Sequence, residues 1–154
     1  MFPGLSLLDS PRVASRERSA RIPDWLYFTS TREGMAVCDR VAEAMVARGY
    51  CEVEVFGVRL ALEEALVNAV KHGNQNDPTK WVWASWIVDP RRVLVAIEDE
   101  GDGFDPRAVP DPCAPENLER SCGRGLLLIR TYMSWVRYNS RGNRVTMIKR
   151  RGCA

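Results

Sequence analysis

The segment EEALVNAVKHGN, residues 63–74, decides the fold class because it combines an apolar helical stripe with a line of polar residues. It closes the longest periodic stretch of the chain, residues 53–73. The apolar residues that recur there at helical spacing are Val55, Val58, Leu62, Leu66, Ala69 and Val70. Such a stripe is expected of a helix that lies on a sheet.

Glu64, Asn68 and His72 follow each other at four-residue intervals, so they share one face of this helix and drift by about 40° per step. A polar line away from an apolar stripe is ordinarily a solvated face. Asn68 argues against a merely solvated face, because asparagine is a poor helix former and stands here in a strong helix, beside the small Ala65 and Ala69.

The remaining periodicities surround this helix with strands and two further helices. Residues 24–29 predict a short strand, residues 31–48 and 125–135 predict helices, and residues 80–88 and 92–98 predict a hairpin. Residues 136–139 and 144–150 predict a terminal hairpin. Together they predict an α+β fold, a two-layer sandwich with a mainly antiparallel mixed sheet and helices on one face.

Length and composition predict one domain that does not bind through bulk charge. The chain has 154 residues, and 22 Lys and Arg against 20 Asp and Glu give a net charge of +2. This surplus excludes proteins held mainly by charge to nucleic acid or membrane. Residues 1–20 lack periodicity, so we expect a flexible extension there and the domain at residues 21–154.

No apolar run approaches the roughly 20 residues of a membrane span, and the N-terminus lacks a basic leader. The five cysteines are odd in number and form no C-x-x-C pair, so we expect reduced thiols rather than a disulfide framework or a zinc site. These observations predict a cytoplasmic protein without direct contact to nucleic acid or membrane.

Two further motifs follow the long helix. The first, DEGDGFD at residues 99–105, comes directly after a predicted strand and fits either a turn or an acidic metal loop. Its glutamate falls at the wrong position for an EF-hand. The second, Gly123-Arg124-Gly125, opens a helix whose free N–H groups could bind an anion. Glycines at such a position more often serve only to make the chain flexible where the helix begins.

The order of these motifs resembles the ATP-binding core shared by gyrase, the heat-shock chaperone Hsp90, histidine kinases and MutL. The features that carry it are E-x-x-x-N on a helix, D-x-G-x-G-F-D after a strand, and G-x-G-L at a helix start. Within that superfamily, EEALVNAVKHGN, PENLERSCGRGLLLIR and VRYNSRGNRVTMIKRR resemble the bacterial anti-sigma-factor serine-protein kinases. The match runs from about residue 20 to residue 151 and implies the Bergerat-type ATP-binding fold.

The resemblance implies a role for each motif residue. Glu64 would be the general base that takes a proton from an attacking hydroxyl or water. Asn68 would give its side-chain oxygen to Mg²⁺. Asp99 would accept the exocyclic amine of adenine, and Gly101 and Gly103 would let the backbone approach base and ribose.

The loop of residues 105–122 matches the ATP lid of that family. Gly123, Arg124 and Gly125 would cradle the phosphates of ATP. Either Arg120 or Arg124 would neutralise the transferring phosphoryl group as part of the catalytic set, and the sequence does not choose between them.

Three further residues receive secondary roles from the resemblance. Lys71 and His72 would lie near the phosphates or the metal shell, and for His72 a structural role at the helix end is equally open. Thr146 matches a position that bonds near adenine. The tryptophans are expected to pack in the core or in an interface: Trp81, Trp83, Trp86 and Trp135.

The resemblance implies an ATP-dependent, Mg²⁺-requiring serine/threonine kinase in transcription regulation. It would phosphorylate a small anti-sigma-factor antagonist, bind a sigma factor, and form a homodimer. Ser134-Trp135 stands where family members often carry an acidic residue, which affects the expected partner contacts.

The main alternative is a non-catalytic ATP-binding anti-sigma factor or signalling adaptor, which would not need the base Glu64. A sensor histidine kinase is disfavoured, because the single histidine, His72, lies inside the ATP motif. A DNA-dependent ATPase would need a second transducer domain.

Overall fold

The computed structural model describes residues 23–109 and 124–152. Within these ranges the elements are β1 (Asp24–Phe28), α1 (Thr31–Ala47), α2 (Glu52–Val67), β2 (Val82–Val88), β3 (Arg92–Asp99), α3 (Arg124–Tyr132), β4 (Trp135–Tyr138) and β5 (Arg144–Arg150). A π-helix, Asn68–Gly73, continues α2. The predicted extension of residues 1–20 and most of the predicted lid lie outside the described residues.

The five described strands form one sheet in the order β1-β2-β3-β5-β4. Each neighbouring pair is antiparallel, so this part of the sheet contains no parallel pair. The predicted α+β fold and mainly antiparallel sheet are therefore confirmed, and the sheet is less mixed than the sequence predicted.

Alternation along the strands separates a buried face from an open one. On β2, Val82, Ala84, Trp86 and Val88 are buried. The buried residues of β3 pair with residues of this set, and the buried residues of β5 pair in turn with those of β3. These side chains form one core with the apolar stripes of the three helices. The helices therefore cover one face of the sheet, as the sequence predicted.

The opposite face of the sheet has no helix over it in the ranges described. Trp25, Tyr27 and Trp135 are exposed there, whereas Trp86 is buried on the helix side. Among the described helices, none combines the length and the apolar character required to cross a lipid bilayer.

Candidate functional site

The π-helix changes the geometry of α2 where its polar residues lie. The N–H of Asn74 donates to the carbonyl of Ala69, five residues earlier, at 2.8 Å. The regular α-helix predicted through residue 73 therefore ends at Val67, and His72 lies in the wider turn. Single π turns inside helices are frequent at functional sites.

Asn74 joins the end of the π-helix to the sheet. Its buried side chain donates from Nδ2 to the carbonyl of Trp81 at 3.0 Å and accepts the N–H of Glu100 at Oδ1 at 2.9 Å. The Glu100 carboxylate in turn accepts the N–H of Trp81 at 2.6 Å. This clamp fixes the helix end against the start of β2 and the end of β3. The sequence did not predict this role for Asn74.

Asp99 is the last residue of β3, and its carboxylate lies between two glycines. A Cβ at Gly101 would stand 2.8 Å from Asp99 Oδ1 and would collide with the carbonyl of Gly73, and a Cβ at Gly73 would collide with the carboxylate itself. The N–H of Gly101 donates to Oδ1 at 2.8 Å. Any side chain at either glycine would fill the space around this carboxylate.

Burial raises the pKa of Asp99 above the usual aspartate value, against the opposing effect of the Gly101 hydrogen bond. Its second oxygen, Oδ2, accepts no hydrogen bond from the described residues. A desolvated acceptor in a narrow space suits a flat ligand that carries an N–H donor.

Asn143 stands beside Asp99, in the β4–β5 turn just before β5, in a place where the sequence predicted no site residue. Its Nδ2 donates to the backbone carbonyl of Asp99 at 2.7 Å, and the N–H of Asp99 donates to the carbonyl of Asn143 at 2.9 Å. Thr146 pairs with Ala96 and lies on the open face, because its neighbours Val145 and Met147 are buried toward the helices. The structure therefore does not bring Thr146 to Asp99.

Glu64 and Asn68 meet the start of α3. A Cβ at Gly125 would stand 2.6 Å from Glu64 Oε2 and 3.7 Å from Asn68 Nδ2. α2 and α3 lie side by side, and the glycine at position 57 lets Tyr132 approach α2. Two predicted residues of α2 and one of α3, which is distant from them in the chain, thus converge on one point.

The other predicted residues are placed as follows. Arg124 is the first residue of α3 and is exposed beside Gly125, and Lys71 and His72 are exposed in the π-helix. Arg120 and Gly123 lie outside the described residues. The choice between Arg120 and Arg124 therefore stays open.

Gly103 shapes the loop that follows Asp99. Its φ of +81° is in the left-handed region, and a Cβ there would collide with the carbonyl of Arg141. Gly142, with φ of +79°, meets the carbonyl of Phe104 in the same way. The two glycines interlock the loop with the β4–β5 turn, which gives Gly103 a structural reason in addition to the predicted one.

With this geometry in view, comparison with known proteins gives the family. Residues 28–149 match the histidine kinase-like ATPase domain, from the end of β1 to near the end of β5. The chain belongs to this family. Its ATPase fold is the one that the motifs predicted.

Several curated proteins are also similar to the chain. The anti-sigma F factor of Anoxybacillus flavithermus is 32% identical over 100 residues, which is 62% of this chain and 67% of that protein. The serine-protein kinase RsbW of Bacillus subtilis is 32% identical over 108 residues, 66% of this chain and 68% of that protein. RsbW of Staphylococcus epidermidis is 32% identical over 99 residues, 59% of this chain and 62% of that protein. The matched region spans about two thirds of these relatives, and the resemblance to anti-sigma-factor kinases is confirmed.

Proposed function

We propose that this chain is an ATP-dependent serine/threonine protein kinase that acts as an anti-sigma regulatory factor and phosphorylates a small antagonist protein. The single observation that carries the proposal is the approach of the Glu64 carboxylate to Gly125 at the start of α3, beside Asn68. A candidate base, a candidate metal ligand and a helix N-terminus lie at one point, as phosphoryl transfer to a hydroxyl requires.

The surroundings of Asp99 fit the adenine of ATP. The carboxylate would accept the exocyclic amine of the base, and the missing side chains of Gly73 and Gly101 let the backbone pack directly against this carboxylate. Guanine carries a carbonyl oxygen at the corresponding position and would place it against the carboxylate. The site should therefore select adenine by electrostatics as well as by shape.

The start of α3 suits the phosphates of ATP. Gly125 brings unobstructed backbone to the site, and the helix N-terminus carries partial positive charge. Arg124 adds a cation at the same end, with Gly123 and Arg120 proposed alongside it from the sequence.

Asn68 would hold Mg²⁺ through its side-chain oxygen. In the described ranges, no three histidine, cysteine or acidic side chains lie together as a metal site. An ion at Asn68 would accordingly take its other ligands from phosphate oxygens and water, which is the usual binding mode of Mg²⁺ with nucleotides.

Glu64 would act on the protein substrate. Bound ATP supplies the phosphoryl group, and the Glu64 carboxylate would take the proton that the attacking serine hydroxyl loses. Glu64 is only partly buried, so an incoming hydroxyl can reach it from solvent.

The protein partners are proposed from the relatives. Some of them are named anti-sigma F factor and others serine-protein kinase. We therefore propose a sigma factor and an anti-sigma-factor antagonist as the partners, with the serine on the antagonist.

A second function, a non-catalytic ATP-binding anti-sigma factor, is favoured by the relatives whose names mention no kinase. Incubating the chain with Mg-ATP and an antagonist protein, followed by mass spectrometry of the antagonist, separates the two. Phosphoserine supports the kinase, and tight ATP binding without phosphoserine supports the binding protein.

A further inference from the structure

We propose that a groove along the free edge of β4 binds an extended acidic segment of a partner protein, which would continue the sheet as a further strand. The groove has a volume of about 610 Å³ and is lined by the loop after β3, the end of α3, β4 and the β4–β5 turn. Ligand sites commonly have volumes in this range. The inference does not rest on the proposed kinase reaction, because Glu64, Asn68 and Gly125 do not line the groove.

The charge of the groove is mainly positive. Among the described residues that line it, two are aspartates and four are arginines: Arg107, Arg130, Arg137 and Arg141. Asp105 neutralises Arg107, whose Nε lies 3.1 Å from Asp105 Oδ1. The other three arginines form no ion pair within the part of the chain that the structure describes. A cleft in which charges of one sign dominate attracts the opposite charge, so we expect an anionic ligand.

The backbone of β4 offers unused hydrogen-bonding groups to this groove. Among the described strands, β4 pairs only with β5. The N–H of Asn139 donates to the carbonyl of Arg144 at 3.0 Å, so these two residues form a hydrogen-bonded pair. Because such pairs alternate along antiparallel strands, the N–H and C=O groups of Val136 and Tyr138 point away from β5. Both residues line the groove.

Two aromatic rings give the groove an apolar part. The ring of Phe104 lies edge-on to that of Tyr138, with centroids 5.2 Å apart, and Phe104 is 40% exposed. The backbone of Phe104 is held by its close approach to Gly142. The apolar surface is therefore already in place before a ligand binds, which lowers the entropic cost of binding.

A strand edge flanked by separated arginines fits an extended acidic peptide. The four residues of β4 extend for about 13 Å, which is the length of about four residues of an added strand. Side chains of such a strand alternate between the two faces of the sheet. Arg130 belongs to α3 on the helix side, whereas Arg137 lies on the open face, so acidic side chains of either face would meet an arginine.

A nucleic acid fits the groove less well. It supplies phosphates but no backbone groups that match the alternating N–H and C=O groups of a strand edge. Asp102 and Asp105 also lie in the lining, where they would repel closely spaced phosphates. The groove therefore favours a protein segment whose negative charges are spaced along an extended backbone.

The test measures how the full chain binds a fluorescent peptide of about ten residues in which glutamate alternates with valine. Fluorescence anisotropy should give a dissociation constant below about 100 μM for the wild type. Arg130→Glu should raise it by about tenfold or more, because one arginine of the groove becomes a repelling carboxylate. The matched control is Arg40→Glu, which makes the same charge change at an exposed position of α1 and should leave binding unchanged.

Two control peptides separate charge from strand pairing. A peptide with glutamine in place of glutamate should bind about tenfold more weakly, because it lacks the charges that the arginines attract. A peptide that keeps its glutamates but carries methyl groups on alternate backbone nitrogens should lose a similar factor, because it cannot donate to the edge of β4. Equal binding of the methylated and unmethylated peptides would contradict the added strand.

Three further results would overturn the proposal. The first is a wild type that does not bind the acidic peptide at about 1 mM. The second is an equal loss of binding in Arg130→Glu and Arg40→Glu, which would show attraction by overall charge. The third is tighter binding of a single-stranded oligothymidine that Arg130→Glu abolishes, since the groove would then be a nucleic-acid site. If circular dichroism shows that Arg130→Glu does not fold, Arg141→Glu should weaken peptide binding, and unchanged binding there counts against the groove.

Discussion

Gly125 at the start of α3 lies so close to Glu64 of α2 that a Cβ at position 125 would stand 2.6 Å from the Glu64 Oε2. Real Cβ atoms do not approach a carboxylate oxygen this closely, so any side chain at position 125 must displace Glu64 or α3. The relationship couples the proposed base to the proposed phosphate-binding helix.

Gly125→Ala should therefore reduce phosphoryl transfer by about tenfold or more, because a small misplacement of a catalytic group is costly. Single-turnover phosphorylation of the antagonist measures the rate. Gly152→Ala is the matched control, since a Cβ at position 152 meets nothing within 4 Å. Equal rates in the two variants would show that Glu64 and Gly125 need not be held in this arrangement.

Asp99→Asn should weaken ATP binding by more than about tenfold while raising stability at neutral pH. Asparagine can still accept the Gly101 N–H, but its amide presents a weaker acceptor to adenine. Calorimetric titration with ATP measures the binding. Asp102→Asn, at an exposed position of the same loop, is the control and should bind as the wild type does.

The stability effect follows from the raised pKa of Asp99. Burial makes the folded state hold the proton more tightly than the unfolded chain does, so this group stabilises most below the unfolded pKa of 3.8. Its contribution falls as the pH rises through the higher folded pKa. Thermal unfolding without nucleotide should show that the stability of Asp99→Asn increases relative to that of the wild type between pH 4 and pH 7. A stability difference that stays constant over this range would contradict the raised pKa.

Asn74→Ala should destabilise the fold by about 2–4 kcal/mol, since it leaves the Trp81 carbonyl and the Glu100 N–H without their buried partner. Denaturant unfolding measures the change, with Glu43→Ala on the exposed side of α1 as the control. ATP affinity should fall as well, because the clamp sets the position of Asp99 against the π-helix. A loss below about 0.5 kcal/mol would mean that the clamp is not structural.

Local patterns were sufficient to predict most of the fold. The apolar stripe of α2 and the alternation of β2 and β3 each arise because one side of the element is buried. Hydrophobic periodicity in the sequence reveals this one-sided burial directly. The π-helix was not predicted, and Asn74, which directly follows it, is held by Glu100, a contact across 26 residues of chain. No helical period reveals such a contact.

For similar reasons, the sequence predicted some residues of the site and missed others. Glu64, Asn68 and Asp99 belong to motifs, and the structure gathers them around Gly125 and Gly73. Thr146 was expected near adenine, but a shift of one residue along a strand reverses the face, and Asn143 stands beside Asp99 instead. Strand register is a tertiary property, so the sequence alone did not distinguish between them.

The most direct test of the central claim compares two adjacent glutamates. Glu64→Gln should lower phosphoryl transfer to the antagonist by about 100-fold or more while leaving the dissociation constant for ATP nearly unchanged. Glu63→Gln loses only the surface pair with Arg59, whose Nε lies 3.0 Å away, and should keep both properties. Transfer at the wild-type rate in Glu64→Gln would contradict the assignment of Glu64 as the base.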